Sequence, residues 1–528
     1  MAIAIAVGVL LFLAAVRNAG QFNPDAVIYL RFAQYLLHGR FGLVASGAFA
    51  PLFSCLIAPF LALGIEPLLA ARFALAACGF LFFAGSVYAS RALGTPRAVP
   101  IAAAGVVGLA VVAFTVTTIT ADLLVDSLLL FGFGLIAGPP WPERRGRQVL
   151  AGLVFALAYF AKAVALPLTV LLVAVVTALR AWSDDGKRRA LIHAFATTLL
   201  VCGLAIVPWI LILSVKYGRL TVATSSRMAH AVMGPRDVDR RSPILLGFRP
   251  PEPGRLTWGE DASILPWRDW SPFQSRVYAA HQLRLISTNR KNIFGFYKDW
   301  DWLHLGFWGS AVFAVLALVA PAIRSWRPSR GSFVPWLLAG VYLLAYAGEP
   351  RYFWLAYPFL FLSPAAIAAY APSPSKPARR LLAVGALALV VVSFLVPVRP
   401  ALASALRPKQ PNPAVAAARL AASRLQAAGL AGPVAGSGDI EGEMAGLYLS
   451  FFLNQPFYGD CPDTDPNEWA RSGASLIVAR RDGPLAKALA GDPRFRSLNK
   501  DLFGVDEKTL PIEVYRIDAP VPPARSGS

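Results

Sequence analysis

The sequence predicts a polytopic α-helical membrane protein of about eleven transmembrane helices, with a small α/β domain at its C-terminal end. Three observations predict it. The 528 residues are 56% hydrophobic and only 15% charged, with mean hydropathy +0.54, whereas soluble domains average roughly a quarter charged residues. The basic residues gather in short loops between apolar runs: Arg144/Arg145/Arg147, Lys187/Arg188/Arg189, Arg324/Arg327/Arg330 and Lys376/Arg379/Arg380. From about Ser404 the long apolar runs give way to helix caps, turns and short alternating strands.

Hydropathy places spans over 2–16, 68–90, 99–118, 123–137, 149–161, 164–179, 191–215, 303–322, 333–347, 353–370 and 381–398. Several fall short of the roughly 20 residues a full crossing takes, which leaves the pairs around Asp122 and Lys162 as candidate tight hairpins. The first run has no basic n-region and no small-x-small site near its end, so it reads as an uncleaved span. The short basic loops hold fifteen Lys/Arg against three acids, Glu143, Asp184 and Asp185, and supply +12 of the net charge of +20. That is a positive-inside bias, and it excludes nucleic acid as the reason for the basicity. It puts the N-terminus in the cytoplasm and the C-terminus outside it.

Three regions outside the spans then share the extracytoplasmic side. The first, 17–67, contains Asp25 to Gly39, with Ile28, Phe32, Tyr35 and Leu36 on one helical face and Arg31, Gln34 and His38 on another, an interfacial amphipathic helix. Within it, Pro51 to Leu63 is apolar but too short to cross. The second, 216–302, is rich in Arg, Trp and Pro and is expected to be mostly irregular. The third is the tail, 404–528. There Asn412-Pro413 starts a helix that Gly429 stops, and strands are expected at 433–437, 476–479 and 512–517, with a helix near 443–452. Pro372–Pro377 reads as a short loop. The transmembrane module would be 1–403. Four cysteines, Cys55, Cys78, Cys202 and Cys461, show no metal-ligand spacing, and Cys461 is alone in the tail.

Ionisable residues at membrane depth are costly and usually functional. Asp25, Asp122, Lys162, Glu349 and Arg351 all fall at span ends facing the same side. Asp25 opens the amphipathic helix, where a carboxylate also simply stabilises a helix start, and Tyr29 shares its face. Asp122 would equally cap the helix that follows it. Lys162 interrupts the apolar run 156–169 and needs an anion, unless it snorkels to the interface. Arg351 offers a planar fork suited to phosphate; a plain contact with Glu349, beside interfacial Tyr352, Trp354 and Tyr357, is the simpler role. The chain has no P-loop, G-x-S-x-G or dinucleotide fingerprint.

Four stretches resemble the GT-C class of membrane glycosyltransferases, in particular the family of protein mannosyltransferases and lipid A aminoarabinose transferases. They are Asn23-Pro24-Asp25-Ala26-Val27-Ile28-Tyr29; Ala50-Pro51-Leu52-Phe53 with Ala71-Arg72-Phe73-Ala74; Thr120-Ala121-Asp122 with Phe160-Ala161-Lys162; and Glu349-Pro350-Arg351-Tyr352 through Pro358. The resemblance follows residues 1–370 in order. It implies a transferase moving a sugar from a polyprenyl-phosphate donor to an envelope acceptor (lipopolysaccharide or another glycolipid, a polysaccharide, or protein) at the outer face of a bacterial inner membrane. It implies Asp25 and Asp122 as catalytic acids, Lys162 and Arg351 as ligands of the donor phosphate, and Tyr29, Glu349 and Tyr352 as their support. No cofactor is implied beyond a divalent metal, which the family leaves open. Two departures stand out: Ala26 where many relatives carry a second acid, and Ala50-Pro51 in place of a charged residue before two prolines. The rival classes are a lipid-linked sugar transporter or flippase, which calls for broken helices and internal repeats, and a non-catalytic assembly subunit. A cavity lined by both Asp25 and Lys162 favours the enzyme.

Overall fold

The computed structural model describes residues 1–183, 187–245, 247–370, 377–437, 445–461, 463–504 and 510–518. The chain is mostly helical. Among the described residues four helices, Pro67–Ala92, Ala165–Ser183, Arg188–Tyr217 and Pro377–Leu406, are long and apolar enough to cross a bilayer, and shorter apolar helices include Ala2–Arg17, Ala98–Phe114, Leu305–Val319 and Ala356–Tyr370. Each begins within a few residues of an expected span and ends within a few residues of it, except Pro377–Leu406, which runs eight residues past the expected end at 398. The helices fall shortest of their expected spans at 303–322, where the helix is Leu305–Val319, and at 333–347, where it is Val334–Leu343.

Close approach holds the bundle at the helix that matters most for the site, Asp122–Ala137. A Cβ on Gly132 would lie 2.4 Å from the Phe155 ring, and one on Gly134 2.5 Å from the Tyr88 ring. In lipid, association rests on such packing, because there is no hydrophobic drive between apolar helices.

The amphipathic segment forms the helix Pro24–Leu37, capped at Asn23, and Leu52–Ala62 follows with Pro59 inside it. The region 216–302 departs from its expected irregularity. It contains Ser225–Val232 and the 24-residue helix Arg276–Asp299, whose N-cap Ser275 accepts from the Tyr278 amide. Its Arg, Lys and Asn content hides it from a hydropathy search. Its buried face is narrow, Leu285, Asn289, Ile293 and Tyr297 at helical spacing.

The tail starts as read: Asn412 accepts from the Ala414 amide to open Pro413–Ala427, and Gly429 follows with a left-handed φ of 67°. Five strands, β1 Val434–Ser437, β2 Phe457–Cys461, β3 Leu476–Arg480, β4 Phe495–Ser497 and β5 Ile512–Ile517, form one sheet in the order β2-β1-β3-β5-β4. β1 lies parallel to β2 and β3, and β5 antiparallel to β3 and β4. β2 and β4 escape a pattern search, since Phe-Tyr-Gly-Asp-Cys and Phe-Arg-Ser carry little alternation. The helix expected near 443–452 is Ala445–Leu453; 443 and 444 lie outside the described residues, as does most of the 372–377 loop.

The sheet is fastened to the helical body. The edge strand β2 pairs with the 249–258 segment, Phe457 N donating to Leu256 O at 2.7 Å and Arg249 N to Tyr458 O at 2.9 Å, which covers an edge that would otherwise invite foreign strands. Arg31 donates to Asn454 Oδ1 at 2.8 Å, Arg419 pairs with Glu66 at 2.7 Å, and Phe22 packs against Tyr448, Phe451 and Phe452.

Candidate active site

The helix Arg145–Ala161 stops because Lys162 adopts extended backbone, φ −161° and ψ 129°. Asp122 opens the next-door helix, and Arg351 sits in the tight turn Pro350–Phe353. These three turns meet. Lys162 Nζ pairs with Asp122 Oδ1, Arg351 Nε lies 3.8 Å from Asp122 Oδ2, and Arg351 Nη1 lies 3.5 Å from Asp25 Oδ2. Two carboxylates and two cations thus alternate around one centre.

The two acids are not equivalent. Asp122 is 2% exposed, and Thr120 Oγ1 also donates to it at 2.5 Å, so both its oxygens are engaged. Asp25 keeps 37% of its side chain open because it faces a cavity of about 230 Å³. That cavity is lined by Asp25, Tyr29, Lys162, Arg351, Tyr352 and Trp209, among others. Asp122 stands behind this wall. Burial within the protein raises the Asp25 carboxyl above its ordinary range, opposed by Arg351 and Lys162. For Arg351, burial works against the charge, but Asp122 and Asp25 hold it firmly protonated.

The supporting residues divide. Tyr29 is buried, its ring edge-on to Phe49 and Phe53. Tyr352 offers its face to Lys162 Nζ, 4.6 Å from the ring centroid, and stacks on Tyr342. Glu349 makes no ion pair with Arg351 among the described residues; it lines a second cavity of about 280 Å³, beside Thr118, Trp300, Trp354 and Tyr357, which meets the first at Arg351.

Other residues hold the site that the sequence did not single out. Asn23 clamps Ile119 twice, donating to its carbonyl at 3.3 Å and accepting from its amide at 2.9 Å, which sets the Asp25 helix beside the turn leading to Asp122. Arg72, 2% exposed, donates to Thr115 O at 3.0 Å and Gln21 O at 2.7 Å. The opposite wall, residues 46–50, is held by Lys216 donating to Ala45 O at 2.6 Å and by Gly47 N donating to Tyr217 Oη at 2.8 Å. Tyr217 donates in turn to buried Asp261 at 2.7 Å, which also pairs with Lys216. The Arg72 signal was available, an Arg set well inside an apolar run whose other Arg, Arg91, lies at its end. Asn23 and Asp261 gave none, since their partners are distant in the chain. Among the described residues no group of three or more His, Cys, Asp or Glu could hold a metal, and both oxygens of Asp122 are already engaged by Lys162 and Thr120.

No protein-family model matches the sequence, and no curated protein matches it. The fold does have solved likenesses. The crystal structure of ArnT from Cupriavidus metallidurans bound to undecaprenyl phosphate is similar at TM-score 0.57 and 15% identity, over 99% of this chain and 98% of that one. The same protein in the apo state gives 0.50 and 16%, over 97% and 96%. The arabinofuranosyltransferase AftD from Mycobacteria gives 0.48 and 16%, over 98% of this chain and 40% of its own, too distant to weigh. The chain therefore has, from end to end, the fold of the membrane protein ArnT, in agreement with the GT-C resemblance of its motifs.

Proposed function

We propose that the protein is a membrane glycosyltransferase that moves a sugar from a polyprenyl-phosphate donor to a cell-envelope acceptor. One observation carries the reading: a partly open carboxylate, Asp25, and two cations, Lys162 and Arg351, face a single cavity, with the cations held in place from behind by Asp122. Transfer from a lipid phosphate needs that set. A base must take the acceptor hydroxyl's proton as it attacks the anomeric carbon. Fixed positive charge must meet the phosphate as the sugar leaves.

In this reading Asp25 is the base, and Lys162 and Arg351 neutralise the leaving phosphate. Arg351 supplies a fork and Lys162 a point charge. Asp122 orients both and touches no substrate. Inversion at the anomeric carbon is what the GT-C resemblance implies. The fold shared with ArnT, solved with undecaprenyl phosphate, supports a prenyl donor. The charge bias of the loops supports an extracytoplasmic site in an inner membrane. The tail beyond residue 404, fastened through β2 to the 249–258 segment, is read as a cover that guides the acceptor.

The test is transfer by the purified protein in nanodiscs, using a panel of polyprenyl phosphate sugars and following release of polyprenyl phosphate. No release with any donor, while undecaprenyl phosphate still binds, would leave a carrier or assembly subunit instead. Reporter fusions at Ser528 check the sidedness; a cytoplasmic readout there removes the shared-face argument.

A further inference from the structure

At the far end of the Asp122–Ala137 helix, roughly 24 Å from Asp122 at 1.5 Å per residue, lies a second concentration of charge. Arg180, Arg324 and Arg330 are 9%, 7% and 8% exposed. Arg180 donates to the carbonyls of Ile136, Gly138 and Pro139 at 3.0 to 3.2 Å, and Arg330 donates to Ala137 O at 2.9 Å. Those bonds satisfy the last carbonyls of the helix, but a helix C-terminus carries only about half a negative charge. Among the described residues no carboxylate offsets the charge of Arg324 or Arg330. Burial and the neighbouring Arg180 and Arg327 push the Arg330 guanidinium down to about 9.

Arg324 is the informative member. Its side chain lies flat over the Trp182 ring, 3.9 Å from the centroid, yet makes no hydrogen bond to the protein among the described residues, and its buried Nε is unpartnered, as is that of Arg330. No carboxylate among the described residues forms an ion pair with Arg324 or Arg330. A buried cation without an acceptor is expensive, and a guanidinium fork fits the oxygens of a phosphate. We propose that Arg324 and Arg330 form a binding site for a phosphate-bearing anion, with Trp182 as its stacking floor, and that its natural occupant is the headgroup of an anionic phospholipid.

The surroundings favour a lipid over a free ion. Trp182 is 54% exposed, and the helix just before Arg324, Leu305–Val319, turns Val312, Val315, Leu318 and Val319 outward. An acyl chain can lie along that face while the headgroup reaches the arginines, and a basic pocket of this kind beside membrane helices suits anionic lipid. Asp184 and Asp185 are the internal competitors by sequence position, so the experiment includes them.

The full-length protein is placed in nanodiscs of phosphatidylcholine, alone or with phosphatidylglycerol, and its melting temperature and retained lipids (by native mass spectrometry) are measured. Phosphatidylglycerol should raise the melting temperature of the wild type. Arg324→Gln should lose that shift and retain the lipid about tenfold less well, one bidentate contact being of that order. In phosphatidylcholine alone Arg324→Gln should melt no lower than wild type, since the residue it removes has no hydrogen-bond acceptor among the described residues. Arg324→Lys, which keeps the charge without the fork, should keep part of the shift and guards against a misfolded Gln variant. Inorganic phosphate added to phosphatidylcholine discs separates the sources: an equal shift identifies a soluble anion as the occupant and overturns the lipid assignment. A wild type indifferent to both additives overturns the site, as does a loss of stability in Asp184→Asn/Asp185→Asn without any lipid response.

Discussion

Replacing Asp25 with Asn should tighten donor phosphate binding while nearly abolishing transfer. The carboxylate oxygen lies 3.5 Å from Arg351 Nη1, an attraction of about 5 kcal/mol at an effective dielectric near 20. Asp25 keeps 37% of its side chain exposed, so solvent screening reduces the working value to about 1 kcal/mol. In the wild type an incoming phosphate must share Arg351 with this carboxylate. In the variant it need not, and affinity for undecaprenyl phosphate should rise about fivefold. Single-turnover transfer should meanwhile fall about 10²–10⁴-fold, the usual contribution of a general base. The two effects have opposite signs, which a general loss of structure cannot produce. Affinity can be followed by tryptophan fluorescence, since Trp209 lines the cavity, with turnover measured on the same nanodisc preparation. The pH profile adds a check. Burial raises the Asp25 carboxyl, so the wild-type rate should fall as pH drops through a point above the ordinary carboxylate range, and the residual rate of the variant should not. Weaker phosphate binding in Asp25→Asn, or unchanged transfer, would refute the assignment of the base.

Three further outcomes are expected. Lys162→Ala and Arg351→Ala should each weaken undecaprenyl phosphate binding, with Arg351→Lys restoring only part of it because an ammonium lacks the bidentate fork; titration of the three variants decides this, and full recovery in Arg351→Lys would contradict it. Asp122→Ala should destabilise the protein by about 3–5 kcal/mol, the cost of leaving buried cations without their partner, so its thermal denaturation should move far more than that of Asp25→Asn. In the tail, Asp460 is 2% exposed and neither of its carboxylate oxygens has a hydrogen-bond partner among the described residues, and burial raises it to about 7. The folded state therefore holds a proton that the unfolded chain releases near pH 4, and this stabilisation is full below that and lost as pH rises through 7. Asp460→Asn should accordingly gain stability over wild type as pH climbs from 4 to 8, by up to about 4 kcal/mol, read as slower hydrogen exchange in β2; a pH-independent difference would remove the explanation.

Local chemistry made much of this protein legible. Apolar run lengths located most of the helices, because a bilayer-spanning helix must be apolar along its length whatever it packs against. Asn412-Pro413 and Gly429 bounded a helix by cap and φ alone, and the spacing of Ile28, Phe32, Tyr35 and Leu36 found the Pro24–Leu37 helix. Charges stranded at span ends picked out Asp25, Asp122, Lys162 and Arg351 before any of them had a partner. What each one does was decided by the tertiary structure. Asp122 and Asp25 look alike in sequence, each opening a helix beside an apolar run, yet packing puts one behind the cavity wall with its oxygens taken and leaves the other open to the cavity. The pairs that make this difference join residues far apart in the chain, and no local propensity encodes them. The same holds for Asn23 on Ile119, for Asp261 behind the 46–50 wall, and for the Leu256 carbonyl that completes the edge of β2. A residue's own chemistry fixes what it can do, and the company that packing gives it fixes what it does.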